Sequence, residues 1–343
     1  MKLILLQEIA SQLEDLKKAN LFGLKNNHAL IISSLQERES LQKCGVFDFE
    51  DEESLITIKD GKLFSKDADI EIINYKTDFH KRNHGIIDES ILQERTVTII
   101  GLGSGGGQTA IDLLRCGVVN LILIDPDTVS ISNLCRSVYD LADVGRKKTE
   151  ALLEKLLRIN PCANITLYDE DILKMPSDEL NTIIEQSDLI FEATDSPRTK
   201  LLVNGLCRDN TPVIYPSIYK MGIGGDIFYS LPNFPCWECV FKSSLDEMMK
   251  QEKGAWDYST DQAKPMPGLI SDIAIVIARS VKIGLALLTG DQEDSIIEKI
   301  TEPGCSLLVI TNERNCYEGF NMPFNEVWAE TKINPECSCQ TLS

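Results

Sequence analysis

Residues 97–136, VTIIGLGSGGGQTAIDLLRCGVVNLILIDPDTVSISNLCR, decide the fold. Residues 97–100 read as a short buried strand, after which Gly101, Gly103 and Gly106 fall as G-x-G-x-x-G at a strand-to-helix turn. Such a turn lets backbone N–H groups and a helix N-terminus face a phosphate chain. A second apolar strand, residues 121–124, ends in Asp125 at the spacing where an acidic side chain accepts a hydrogen bond from a ribose hydroxyl. The glycine pattern alone also fits a tight packing turn in an ordinary α/β domain. The cations downstream of Asp125 separate the two readings. A triphosphate about to lose pyrophosphate needs fixed cations around its outer phosphates. Arg136 and the run Gly145-Arg146-Lys147-Lys148 supply them, although Arg146 and Lys147 also suit a solvated helix start.

From residue 97 onward, short apolar strands alternate with amphipathic helices, which predicts an α/β fold with a mostly parallel, Rossmann-like sheet. Beyond Thr211 the strands crowd together as PVIYPSIY, GGDIFYSL, SLLVIT and NCYEGF, predicting an antiparallel extension. Asp195 follows a predicted strand over residues 188–193, at the edge where open α/β sheets hold ligands. It suits either a magnesium ligand or an N-cap to a helix starting near Pro197.

The ordered series GLGSGGG (101–107), DPDTVSISNLCR (125–136), DVGRKKTEALLEKLLRINP (143–161), LIFEATDSPRTK (189–200), CWEC (236–239) and MPGLISDI (266–273) resembles the HesA/MoeB/ThiF superfamily of ATP-dependent adenylyltransferases. That superfamily includes the activating domains of ubiquitin-activating enzymes. The resemblance covers roughly residues 80–340, implies an adenylyltransferase domain over residues 80–343, and with it ATP, Mg²⁺ and acyl-adenylate chemistry. It places Gly101, Gly103, Gly105 and Gly106 at the nucleotide, Asp125 at the ribose beside Asp127, and Asn133, Arg136 and Lys148 at the phosphates. Asp195 then corresponds to the carboxylate that positions Mg²⁺. Arg82, in His80-Lys81-Arg82-Asn83, matches an arginine that reaches the partner's active site, implying a homodimer; a surface arginine is the alternative, since the usual neighbouring aromatic and glutamine are absent.

Eleven cysteines in 343 residues, without a secretory segment, point to a reducing, cytoplasmic compartment rather than a disulfide framework. Cys44, Cys116, Cys162 and Cys207 read as small core residues. Cys236 and Cys239 have the spacing of zinc ligands. The family resemblance implies that they are completed near the C-terminus, here by Cys337 and Cys339, a C-x-C rather than a C-x-x-C pair. Four free cysteines at a surface turn are the alternative. No cysteine lies in residues 240–267, which favours direct transfer over a thioester; Trp256 and Tyr258 are candidate substrate contacts in that loop.

A net charge of −19 repels nucleic acid and acidic membranes. The apolar stretch 269–288 is broken by Asp272, Arg279 and Lys282 and does not read as a membrane span. The expected partners are a peptide, a protein or a small molecule.

Residues 1–79 lie outside the nucleotide fold. They read as a helix (5–19), a strand (29–33), a helical turn (35–44), a hairpin (55–58 and 62–65 around Asp60-Gly61) and a strand (70–73), a small winged-helix-like α+β module. Such modules bind extended peptides along a sheet edge. With the superfamily resemblance, this module looks like the leader-peptide clamp of members of the microcin C and pantocin type. The expected activity is adenylylation of a carboxyl group on a ribosomally synthesised peptide during antibiotic maturation. Activation of the C-terminal glycine of a ubiquitin-like or sulfur-carrier protein is the alternative. Residues 1–79 that only stabilise a dimer are the plainer reading of the module.

Overall fold

The computed structural model describes residues 2–37, 41–49, 51, 53–59, 62–232, 234–245, 247–250, 256–257, 262–263, 267–290, 301–302, 304–315 and 320–341. The chain divides into two compact units, Met1–Ile86 with Glu154–Cys162, and Ile87–Leu153 with Ala163–Ser343.

The second unit holds the predicted α/β fold. A short helix, α3 (Glu89–Glu94), leads into its first strand. The strands are β8 (Thr96–Ile100), β9 (Asn120–Ile124), β10 (Asn164–Tyr168), β11 (Leu189–Glu192), β12 (Val213–Ile218), β13 (Gly224–Ser230), β16 (Cys305–Thr311) and β17 (Asn325–Glu330). They form one eight-stranded sheet in the order β10-β9-β8-β11-β12-β13-β16-β17. The pair β14 (Trp256–Asp257) and β15 (Gln262–Ala263) forms a separate antiparallel ribbon. In the large sheet the first five strands are parallel and the last three antiparallel. Parallel strands need crossover connections. Here α4 (Ser104–Cys116), α5 (Lys148–Ile159), α6 (Ser177–Glu185) and α7 (Pro197–Cys207) lie between them in sequence. Helices on the faces of a parallel sheet bury both sides of its strands, so near-continuous apolar runs are expected. All four residues of β11 are accordingly buried, and the antiparallel β13, against which the long helix Ile270–Leu288 packs, is buried along all seven. The long helix Ile270–Leu288 packs against α4, β12 and β13. No described helix is long and apolar enough to cross a membrane. The chain leaves β8 toward β9 and β10 and returns to β11 on the other side of β8. The C-terminal ends of β8 and β11 therefore flank a topological switch point, where this class of sheet holds its ligands.

The first unit is richer in strand than its sequence suggests. Residues 5–19 form no single helix: β1 (Lys2–Leu6) leads directly into α1 (Gln7–Glu14), and β2 (Lys18–Lys25) follows. Short apolar runs are ambiguous between helix and strand. Pairing decides this one, because β1 lies parallel to β3 (Ala29–Ser34) with Leu3 beside Leu30 and Leu5 beside Ile32, all four buried. The helical turn expected over residues 35–44 gives way to β4 (Gln42–Asp48), which pairs antiparallel with β2. Residues 38–40 fall outside the described residues. The hairpin forms as β5 (Thr57–Lys59) with β6 (Lys62–Phe64), while β7 (Ile70–Ile73) joins the main sheet, whose order is β4-β2-β3-β1-β7. Beyond α2 (Tyr75–Phe79), successive turns at Asn83 and Ile86 carry the unit past residue 79.

Within the second unit, Lys200 of α7 reaches the last residue of β11, with Nζ 2.7 Å from Glu192 Oε2. Glu192 is wholly buried and Lys200 nearly so. Burial pushes the Glu192 carboxyl above its ordinary range, against the opposing pull of Lys200. Lys200→Met should leave that carboxylate without its cation and cost about 3–5 kcal/mol of stability. Urea unfolding measures the loss, and Glu192→Gln in the same chain should recover much of it; a wild-type midpoint for the single variant would refute the assignment.

Candidate functional site

Loops at the C-terminal ends of β8, β9 and β11 build the site. Gly101 has φ +84, a region an L side chain rarely enters, and its N–H donates to Ile124 O at 2.9 Å, stitching the loop to β9. Gly106 lies so close beneath the turn that a Cβ there would stand 1.8 Å from Gly101 O. Gly103 is the N-cap of α4, and a Cβ on it would meet no atom within 4 Å, so the backbone here faces open space. That combination presents the first N–H groups of a thirteen-residue helix to an approaching anion. The first turn also meets the long helix, since a Cβ on Gly105 would lie 3.0 Å from Ile277 Cδ1.

Asp125 ties the loops together. Its Oδ2 accepts from Leu102 N at 2.6 Å, and its Oδ1 accepts from Asp127 N at 2.8 Å. Lys148, at the start of α5, places Nζ 3.4 Å from Asp125 and 2.7 Å from Asp127 Oδ2. Asp125 and Lys148 are buried, whereas the Asp127 carboxylate is exposed. Desolvation by burial works against charge on Lys148, but the two carboxylates outweigh it and hold the ammonium above its usual range. The lysine is a fixed cation at neutral pH. One positive charge facing two carboxylates leaves the trio net negative when all are ionised, so Lys148 has unspent attraction only where a stronger anion competes for it.

Asn133 and Arg136 lie in the loop after β9. Asn133 turns its Oδ1 back onto Ser130 N at 2.9 Å, closing a short 3₁₀ turn over Ile131–Asn133. Arg136 is half-buried and brings Nη1 beside Gly268, just ahead of the long helix. Asp195 is exposed and makes no hydrogen bond or ion pair among the described residues. The helix after it is capped instead by Ser196, whose side chain accepts from Thr199 N, so the N-cap alternative for Asp195 does not hold. The loop bearing Asp195 meets the glycine turn: a Cβ on Gly101 would lie 2.8 Å from Thr194 Cγ2. The glycines, Asp125, Asp127 and Lys148 are thus in direct contact or in adjoining turns. Arg82 is exposed and belongs to the first unit.

Tyr139 carried no sequence signal. Its buried hydroxyl donates to Leu102 O at 2.8 Å and lies 3.3 Å from Lys148 O, clamping the glycine loop to the start of α5. Burial, reinforced by Asp125 and Asp143, raises its pKa far above the ordinary phenol value, so the hydroxyl remains a donor. A tyrosine 38 positions beyond the first glycine matches no short motif; only the fold returns it to the loop.

Away from the nucleotide loops, the Sγ atoms of Cys236, Cys239, Cys337 and Cys339 lie within 4.8 Å of one another. Neighbouring sulfurs are 3.7 Å (Cys236 to Cys239), 3.6 Å (Cys236 to Cys337) and 3.5 Å (Cys239 to Cys339) apart. Four thiolates about 2.3 Å from a tetrahedral zinc would stand about 3.8 Å from each other, so this donor set fits that ion. Three of the four are buried, which removes the surface-turn alternative. Of the cysteines expected in the core, Cys207 is buried, while Cys44, Cys116 and Cys162 are only partly so. The side chain of Trp256 and all of Tyr258 lie outside the described residues.

Known proteins share this architecture. Ubiquitin-like modifier-activating enzyme 5 of Caenorhabditis elegans is 29% identical over 187 residues, 50% of this chain and 44% of that protein. Molybdopterin-synthase adenylyltransferase of Escherichia coli K12 is 30% identical over 175 residues, 50% of this chain and 69% of that one. The chain therefore spans about half to two thirds of the length of these relatives. The structure of E. coli MccB with AMPCPP and MccA superposes with a TM-score of 0.58 at 20% identity, covering 76% of this chain and 74% of that one. MccB, the microcin C7 biosynthetic enzyme, has also been solved in complex with N-formylated MccA. At that identity the likeness is one of fold. The ThiF family model matches residues 82–339, from the arginine ahead of the nucleotide fold to the last cysteine of the cluster, and the chain belongs to the ThiF family.

Proposed function

We propose that the protein uses ATP to adenylylate a carboxyl group on a ribosomally made peptide, a step of antibiotic maturation. The observation that carries the first half is the Asp125–Lys148–Asp127 contact beneath an open glycine turn. A carboxylate attacks the α-phosphorus of ATP, forming a carboxyl–phosphate anhydride and breaking the bond to pyrophosphate, which leaves with the electron pair. The glycine turn and the start of α4 receive phosphate oxygens through backbone N–H groups. Asp125 accepts from a ribose hydroxyl, and Lys148 exchanges Asp127 for the phosphates. Asn133 and Arg136 complete the phosphate contacts. Asp195, exposed and unpaired among the described residues, suits Mg²⁺, which when bound neutralises charge gathering on the departing pyrophosphate. The four cysteines suit a structural zinc, which when bound cross-links the chain around Cys236 to its C-terminal segment.

The peptide half rests on the first unit. Its sheet ends on one side in β7, which among the described residues pairs with β1 alone, and Ile72 there is 51% exposed. The opposite edge strand, β4, is partly covered, because Asp48 N donates to Ile56 O. An extended leader segment adds to the β7 edge as a further strand. The fold likeness to MccB, solved with MccA, supports this choice. The curated relatives favour a second reading, activation of a ubiquitin-like or sulfur-carrier protein at its terminal glycine. A homodimer accounts for Ile131 and Leu141, 71% and 76% exposed in the loop around Arg136, with Arg82 entering the partner's phosphate site.

ATP–pyrophosphate exchange tests the reaction and the substrate together. Exchange should appear only when a peptide encoded beside the gene is added; exchange with a ubiquitin-like protein instead would establish the second reading. Asp195→Ala should lower exchange by about a hundredfold or more without changing the unfolding temperature, and full activity would remove the metal assignment. Ile72→Lys should weaken peptide binding about tenfold and leave ATP binding unchanged, because a charge on an edge strand opposes pairing; equal loss of both would point to a purely stabilising unit. Arg82→Ala and Lys148→Ala chains, each inactive alone, should recover about a quarter of wild-type exchange when unfolded together and refolded as mixed dimers, since half the dimers then carry one intact site. No recovery would place Arg82 outside the partner's site.

A further inference from the structure

Asn204 links the four-cysteine cluster to the helix behind Asp195. It lies on α7, about two turns beyond the Ser196 cap, and its side chain is buried. Both ends of its amide are directed at the first cysteine pair: Oδ1 accepts from Trp237 N at 2.8 Å, and Nδ2 lies 3.6 Å from Cys236 Sγ. The backbone N–H of Trp237 can only donate, so it fixes the carbonyl end of the amide and leaves the NH₂ end facing the sulfur. A neutral thiol is a weak acceptor, whereas a thiolate is anionic and gains from an N–H donor. A buried amide held in this orientation is matched to a metal-bound Cys236.

The same helix is tied to the nucleotide side. Lys200, one turn before Asn204, is ion-paired at 2.7 Å with Glu192 Oε2. The other oxygen of Glu192 accepts from Thr194 N at 3.2 Å and from the Thr194 hydroxyl. Ser196 then caps α7 on the far side of Asp195. Asp195 is thus suspended between Thr194, held by Glu192, and Ser196, held by the helix. A shift of α7 at Asn204 would be transmitted to both supports.

The geometry points to Asn204 as a positioning residue: it orients Cys236 in the zinc centre and, through α7, makes zinc occupancy set the placement of the Asp195 loop. This rests on the zinc reading above. Zinc and MgATP then bind with positive coupling, each raising the affinity for the other.

Asn204→Asp separates the two ends of the amide, because a carboxylate still accepts from Trp237 N but can no longer donate to sulfur. Zinc content by elemental analysis, zinc affinity by chelator competition, the sulfur-to-cobalt charge-transfer band of the Co²⁺ form and the Kd for MgATP are read on the full chain. Wild type should hold one zinc. The variant should bind it about 10- to 100-fold more weakly, with a displaced cobalt band and a raised Kd for MgATP that saturating zinc restores. If the aspartate variant does not fold, Asn204→Ala, a good helix former, removes both ends of the amide together, and the same zinc, cobalt and MgATP readouts then test the Asn204 contact as a whole. Unchanged zinc affinity and an unchanged cobalt band would overturn the role of Asn204, and weakened zinc with an unchanged Kd for MgATP would overturn the link to Asp195. Wild type that binds neither zinc nor cobalt would instead bring down the zinc reading and this inference with it.

Discussion

Three segments of the nucleotide site meet at the carboxylate of Asp125. It is buried, and buried charge persists only where hydrogen bonds and a counter-charge compensate for lost water. Leu102 N, Asp127 N and Lys148 provide that compensation. They come from the turn after β8, the turn after β9 and the start of α5. One side chain therefore holds three separate segments in register around the open space at Gly103. Tyr139 closes the arrangement by reaching two of the same segments, Leu102 and Lys148, through their carbonyls.

Much of this was legible in the sequence because the relevant signals are local. The glycine spacing, the apolar run ending in Asp125 and the strand before Asp195 each report on a handful of neighbouring residues. The C-x-x-C pair was equally plain, and the family resemblance supplied its distant partners. The first unit was harder to read. Its residues 3–6 are a continuous apolar run, Leu3-Ile4-Leu5-Leu6, that extends the helical stripe of Leu6, Ile9, Ala10 and Leu13, and only pairing with Leu30 and Ile32 selects the strand for the first half. No window of residues 5–19 contains that information.

Long-range polar contacts were illegible for a related reason. Lys200 stood inside a recognised motif without an assigned role, since its partner is at the end of a strand eight residues earlier and the contact depends on how α7 folds back. Asn204 and Tyr139 are ordinary residues of a helix and a loop until the tertiary fold delivers a sulfur or a carbonyl to them. What sequence withholds here is which polar groups become buried together.

The open edge of β7 has a consequence for how the protein behaves at high concentration. A strand that, among the described residues, pairs on one side offers its other side to any extended chain, including another copy of itself. The exposed ion pair of Glu71, on β7, with Lys2, on β1, places charge beside that margin. Neutralising that pair would remove charge next to the exposed Ile72 and ease edge-to-edge pairing between copies.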